Sequence, residues 1–369
     1  MKKKNEYFPE SRPHPGEILA EKLQEMGMGP KEFAVRSRKP EQTINAILKG
    51  RSAITPDMAV QFEAVTGIPV HFWMNSQQAY DELIARRKYE ATIEAATEWA
   101  RNFPTLQMGK MGWIESSRNI KLKAKELLNF FGFSDHHAWE AYFLKGELKV
   151  AFRISLSGTH NPHAISAWLR KGELQAKQLF AKPYSEKTFR EILPSIKAIM
   201  AEHPCDFFPR LQNLCLSAGV KVIHTPNLPK APINGATRWI NDHPLIQLTG
   251  RYKGNDIFWF TFFHEVGHIL LHGKKDIFLE DIDYPEKNQN KEKEADAFAV
   301  QWTLNKNQEA EVLSNIELTE QQLYDYAQKF GTHPAIIIGR LQHIGKLKHN
   351  QAVDIFQKVD LDNKEPTEK

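Results

Sequence analysis

Two cysteines in 369 residues, Cys205 and Cys215, form no C-x-x-C pair and exclude a disulfide framework for a chain this long. The longest apolar stretch, Ile257 to Leu271, is too short to span a bilayer and carries His264, Glu265 and His268. The opening "MKKKNEYFPESRPHPG" is basic but has no apolar run behind it, so a signal peptide is not expected. Charge of one sign is also missing: 49 Lys and Arg against 45 Asp and Glu leave +4. That balance permits a local nucleic-acid patch without arguing for one. No repeat or low-complexity block interrupts the chain. What remains, 41% apolar and 25% charged residues, reads as a cytoplasmic, reduced globular protein of two or three domains with no membrane association.

The segments up to 12 and after about 357 are polar and are expected to be loose. Residues 13–87 read as wholly helical. Thr55-Pro56-Asp57 is a strong helix start, with a hydroxyl cap, a proline at the first helical position and an acid facing the positive end of the dipole; Gly67 ends that helix. Residues 88–205 carry helical patterns such as "LKAKELLNFFGF" and "KTFREILPSIKAIMAEH", without a catalytic motif, and read as a helical connector or scaffold. From 206 to 350 the pattern is mixed. "VKVIHT" (220–225) and "PLIQLT" (244–249) alternate as strands, Asn234-Gly235 and Asn241-Asp242 signal turns, and helices are expected at about 256–272, 291–304 and beyond. The fold expected is therefore multidomain: an all-α N-terminal domain, a helical middle and an α+β domain with a small sheet.

His264-Glu265-Val266-Gly267-His268 is an H-E-x-x-H pattern. On a helix its two histidines lie about 40° apart, so both imidazoles can face one metal ion. Glu265, about 100° round from His264, can reach a water on that ion as general base without ligating. Trp259, Phe262, Phe263, Val266, Ile269 and Leu270 gather on the opposite side, so one face is expected in the core while the other presents the site. A catalytic zinc needs a third ligand and an open position. The metzincin spacing is excluded, because Leu271 and Lys274 stand where its glycine and third histidine belong. "KEKEADAFA" (291–299) offers the alternative. Glu292 and Asp296 share a helical face, so Glu292 can ligate while Asp296 accepts a hydrogen bond from a ligand histidine. Glu294 is the rival ligand, about 200° round from Glu292 and without an acid four residues on. His272 reads as the helix end, and the His136-His137 pair as surface residues without ligand spacing.

"FFHEVGHILLH" followed by "EKEADAFA", with "NGATRW" and "PLIQLT" upstream, resembles the ImmA/IrrE group of zinc metallopeptidases, gluzincin-like proteins often paired with or fused to a helix-turn-helix repressor. The resemblance implies one Zn2+ held by His264, His268 and Glu292, with Glu265 as general base. "QWTLNKNQ" departs from relatives that carry an apolar run ending in proline, and removes no ligand.

Residues 13–87 resemble the XRE-type helix-turn-helix of HigA antitoxins, in "HPGEILAEKL", "ILKGRSAITPDMAVQFEAVTGIPVHFW" and "QQAYD". In "PEQTINAILKG", Ile44, Ile47 and Leu48 form an inward stripe that leaves Gln42 and Asn45 outward and Thr43 at the boundary. Gln and Asn can pair bidentately with adenine in the major groove. Arg36, Arg38, Lys39, Lys49 and Arg51 flank the helix and suit phosphates. Ser37-Arg38-Lys39-Pro40 makes a turn without glycine. "QKFGTHPAIIIGRLQHIG" has a similar look but few outward readers, and is expected to cap the metal domain.

The function expected is a DNA-binding transcriptional regulator with a zinc-dependent endopeptidase domain. Its partners would be a double-stranded DNA operator and a protein substrate: a repressor, a toxin-antitoxin-type partner or the chain itself. "PLIQLT" is expected to receive the substrate by strand addition, and Tyr252, Arg238 and Tyr284 are candidates for oxyanion stabilisation. A homodimer is expected from paired half-sites. The alternative is an antitoxin or autorepressor whose metal domain is a sensor or structural module.

Overall fold

The computed structural model describes residues 11–145, 161–251, 254–275, 277–280, 288–315, 318–348, 355–357, 359 and 361. The chain divides into two compact units between Ala95 and Ala96.

The first unit is five helices: α1 (Pro15–Glu25), α2 (Pro30–Arg36), α3 (Glu41–Leu48), α4 (Pro56–Thr66) and α5 (Val70–Ala95). α1 starts where His14 Nδ1 accepts from Gly16 N and Glu17 accepts from His14 N, a reciprocal cap with Pro15 at the first position. Thr55 caps α4 and Gly67 ends it in the left-handed region. Leu19, Phe33, Ile44, Ile47, Phe62 and Trp73 make a closed core, each large side chain contributing about 2–3 kcal/mol of burial. Gln77 ties α5 to the preceding loops: its Oε1 accepts from Ile54 N at 2.9 Å. The glycine-free turn is made by Arg38 at φ 51°, a conformation that costs a side-chain-bearing residue about 1 kcal/mol.

The second unit begins with short helices, α6 (Thr97–Arg101), α7 (Thr105–Lys110), α8 (Ile120–Phe131) and α9 (His136–Phe143), then α10 (Pro162–Ala176), α11 (Glu186–Glu202) and α12 (Phe207–Ser217). β1 (Lys221–His224), β2 (Gly235–Ile240), β3 (His243–Leu248) and, after α13 (Asn255–His272), β4 (Phe278–Leu279) form one sheet in the order β1-β3-β2-β4. α14 (Gln289–Thr303), α15 (Lys306–Leu313), α16 (Glu320–Phe330) and α17 (Pro334–His343) follow. The described chain is thus mostly helical with a small four-stranded sheet. Among the described residues no helix is long and apolar enough to cross a membrane.

β2 and β3 are an antiparallel hairpin whose two turn residues, Asn241 and Asp242, sit at φ 45° and 64°, the primed turn that matches strand twist. β1 runs parallel to β3. α10 covers one face of the sheet: Gln247 Nε2 donates to Trp168 O at 2.8 Å, and Trp168 Nε1 to Thr225 O at 3.1 Å. α13 covers the other, where Thr237 Oγ1 donates to Glu265 O at 3.2 Å. Phe189 and Leu193 of α11 share one core with Leu211 of α12 and with Phe258, Trp259 and Phe262 of α13, so α11, within the stretch read as a connector, supplies a wall to this unit. Phe330, Ile336 and Ile337 of the C-terminal helices pack into the same core.

Candidate metal centre

α13 is buried on nearly every side: His264 is 3% exposed, Glu265 and His268 0%. The helix therefore does not divide into a core face and an open site face as its pattern suggests. The site side is roofed by α14. Gly267 makes that approach close, because a Cβ there would stand 3.1 Å from Ala295 Cα and 3.2 Å from Phe298 Cβ. With the helices this near, Glu292 arrives beside the two histidines.

His264 Nε2 and His268 Nε2 face each other at 2.9 Å, and the Glu292 carboxylate lies 3.5 Å from the first and 3.8 Å from the second. These three separations bracket the roughly 3.4 Å expected between neighbouring ligands of a tetrahedral ion with bonds of about 2.0–2.1 Å. Glu292 Oε1 is buried and accepts no hydrogen bond, an arrangement that is costly unless a cation completes it. His264 Nδ1 donates to Asp296 Oδ1 at 2.9 Å, which leaves the Nε2 lone pair for a ligand. Burial by itself would lower the His264 pKa, but the hydrogen bonds to Asp296 and Glu292 win and raise it to about 11, so without an ion Nε2 carries a proton that a bound metal would displace. The pocket is anionic enough to demand a positive charge. The residues present fit a divalent metal ion.

Glu265 stands next to this set with both carboxylate oxygens buried and neither hydrogen-bonded. Burial pushes it up to about 8, with His264 pulling the other way. Gly235 leaves it room, since a Cβ there would lie 2.5 Å from Glu265 Oε1. A cavity of about 420 Å³, lined by Thr261, Glu280, Asp296, Val300, Ile336 and Arg340 among others, opens alongside.

Several expectations are corrected. "PLIQLT" has no free edge, because β3 pairs with β1 on one side and β2 on the other. Among the described residues the edge strand beside the site is β4, whose Phe278 stacks on His268 at 3.7 Å. Arg238 lies on the opposite face of the sheet and donates to Leu169 O, so it does not reach the site. Tyr252 and Tyr284 lie outside the described residues. Glu294 is not in the ligand cluster; its Oε2 is 3.0 Å from His272 Nε2. His136 and His137, read as a pair without ligand spacing, come within 4.8 Å of Glu140 one helical turn on. That group sits at the N-terminus of α9, where the helix dipole repels a cation, and His137 is 76% exposed. Sequence reasoning missed Thr237, Gly235 and Phe278 as walls of the site. The Asn241-Asp242 turn between two six-residue strands was the available signal for β2.

On α3, Ile44 and Ile47 are fully buried, Gln42 is exposed, and Thr43 and Asn45 are half-buried. Arg36, Arg38, Lys49 and Arg51 are exposed. Lys39 is half-buried and ion-paired with Asp57 at the start of α4, so part of its charge is already matched within the unit.

The fold and the site together define a helix-turn-helix unit joined to a metallopeptidase-type unit, and comparison with known proteins agrees. The Peptidase_M78 family, described as an IrrE N-terminal-like domain, matches residues 215–341. At the other end, the chain is 34% identical over 70 residues to the uncharacterized HTH-type transcriptional regulator YddM of Escherichia coli, covering 19% of this chain and 74% of that protein. It is 35% identical over 75 residues to virulence-associated protein I of Dichelobacter nodosus, covering 20% and 69%. Among solved structures, a HigA-family addiction module antidote protein from Coxiella burnetii matches at 39% identity, 23% of this chain, 95% of that one and a TM-score of 0.22. The Pseudomonas aeruginosa antitoxin HigA with higBA promoter matches at 31% identity, 23%, 94% and a TM-score of 0.22. The chain belongs to the helix-turn-helix regulators by its first unit and carries an IrrE N-terminal-like peptidase-family domain in its second.

Proposed function

We propose that the protein is a DNA-binding regulator whose second unit is a zinc-dependent endopeptidase acting on a protein partner, a repressor or toxin-antitoxin-type protein, or on itself. The observation that carries the enzymatic half is the convergence of two imidazole nitrogens and a buried, unpartnered Glu292 oxygen next to a buried, unpartnered Glu265 carboxylate. His264 and His268, each through Nε2, and Glu292 through its carboxylate would hold one zinc ion. When bound, that ion supplies Lewis acidity, acidifying a water and polarising a carbonyl. Glu265 receives the water's proton on a carboxylate oxygen and returns it to the leaving amine. Asp296 keeps His264 in the tautomer that offers Nε2. Thr237 anchors the turn of α13 that carries Glu265. The adjoining cavity, with its apolar Val300 and Ile336 walls, receives a side chain of the bound segment.

The DNA-binding half rests on α3, whose buried stripe leaves Gln42 exposed and Asn45 half-buried, and on a relative named as an HTH-type transcriptional regulator. It would bind a double-stranded operator as a homodimer, with Arg38, Lys39, Lys49 and Arg51 on phosphates and Gln42, Thr43 and Asn45 towards bases.

Metal analysis joined to one variant tests the enzymatic reading. Wild-type protein should hold about one zinc per chain. Glu265→Gln should keep fold and zinc while lowering cleavage of the partner by roughly 10²–10⁴-fold. A variant that loses no cellular phenotype would leave the metal domain a sensor or structural module.

A further inference from the structure

We propose that His272 and Glu294 form a positioning relay that holds His268 in its ligand tautomer, an inference that rests on the metal-centre reading above. His272 ends α13, one turn beyond His268, yet its side chain is only 3% exposed. Its Nδ1 lies 3.0 Å from His268 Nδ1, and its Nε2 lies 3.0 Å from Glu294 Oε2. A carboxylate can only accept, so the proton of a neutral His272 sits on Nε2. That makes His272 Nδ1 an acceptor, and the atom facing it, His268 Nδ1, must be the donor. His268 Nε2 is then left with its lone pair towards His264 Nε2 and Glu292.

The two ligand histidines are thus oriented by different devices. His264 meets the Asp296 carboxylate directly, whereas His268 meets a carboxylate through an intervening imidazole. Phe278 clamps the arrangement, 3.7 Å from the His268 ring and 5.4 Å from that of His272. The relay also accounts for the place of Glu294. It stands two residues from Glu292 on the same helix, but its carboxylate is engaged with His272.

Neither relay residue touches the ion, so the readout is metal affinity. The full chain would be prepared as wild type, His272→Phe, His272→Gln, Glu294→Gln and Glu292→Ala, and the zinc dissociation constant measured by competition with a chelator. Thermal melts of the metal-free proteins check folding. His272→Phe preserves the packing against Phe278 and removes both hydrogen bonds; it should weaken zinc roughly 10–100-fold, the usual consequence of losing a hydrogen-bond partner of a ligand histidine. His272→Gln, whose amide can still accept from His268 and donate to Glu294, should recover most of that loss. Glu294→Gln should weaken binding less than His272→Phe. In the zinc-loaded wild type, long-range ¹H–¹⁵N spectra should place the His268 ring proton on Nδ1.

The relay is overturned if His272→Phe binds zinc as tightly as wild type, if His272→Gln is as impaired as His272→Phe, or if Glu294→Gln loses zinc as completely as Glu292→Ala. A wild type that takes up no zinc overturns the metal-centre reading itself. Zinc bound by wild type and lost in Glu292→Ala, with His272→Phe unchanged, overturns the relay alone.

Discussion

α3 and α13 each carry chemistry at helical spacing, and they solve opposite problems. α3 buries Ile44 and Ile47 and leaves Gln42 in solvent, as the proposed role of meeting DNA requires. α13 buries its chemistry with its packing: His264, Glu265 and His268 are as enclosed as Phe262. A polar side chain on α3 can stand alone because water satisfies it. On α13 each one needs a protein partner or a ligand, since an unmet buried polar group costs a few kcal/mol. Asp296 and His272 are those partners for the two histidines, and the buried carboxylate oxygens of Glu265 and Glu292 are left without one.

Four measurements sharpen or break that contrast. The largest effect should come from Gly267→Leu. Its side chain would drive into Ala295 and Phe298, and overpacking should cost the second unit 3 kcal/mol, or about that, and with it zinc retention, read by calorimetry and metal analysis. The first unit should melt unchanged. Next is acid sensitivity of the second unit. His203 is lowered to about 4, chiefly by burial and further by neighbouring His333, and its Nδ1 accepts from Trp259 Nε1 at 3.0 Å. A depressed folded pKa means the stability is complete above the unfolded value near 6.5 and is lost as pH falls towards 4, on the order of 3 kcal/mol. Melts between pH 7 and pH 4 should show that slope, and His203→Gln should reduce it, the remainder coming from His163 and His333, which burial also lowers.

On the first unit, Gln42→Ala combined with Asn45→Ala should reduce preference for the operator over random DNA by roughly 10–100-fold, measured by competition binding at fixed salt. Unchanged preference would mean that α3 is not the reading helix. The smallest effect is Arg38→Gly. Relieving the left-handed backbone at φ 51° should stabilise the first unit by about 1 kcal/mol, while removal of an exposed charge weakens DNA binding of every sequence. A stabilised variant with unaltered DNA affinity would remove Arg38 from the contact surface.

Local chemistry made much of this visible in the chain. Thr55-Pro56-Asp57 starts α4 because a cap, a fixed φ and a favourable charge all act within one turn. H-E-x-x-H shows itself because four residues on a helix return to the same face. The hairpin strand β2 was harder: "GATRWI" looks weakly apolar, and its residues are buried on both faces by α10 and α13, elements far away in the chain. The edge status of β3 was misjudged for a related reason, since pairing partners on both sides cannot be inferred from alternation within one strand. Arg238 shows the limit most plainly, because alternation along β2 points it away from the site that its neighbour Thr237 supports.

Among the groups of the candidate metal centre, the sequence by itself determined what is periodic along one helix: the paired histidines, the adjacent glutamate, and Glu292 with Asp296 on a second helix. Only the tertiary structure decided that α14 comes close enough over Gly267 for Glu292 to join the histidines, that Glu294 turns to His272 instead, and that Gly235 clears space for Glu265. The reason is distance. Spacing on a helix is set by 3.6 residues per turn, whereas the approach of two helices is set by which side chains are small enough at the crossing, and that is a property of the pair.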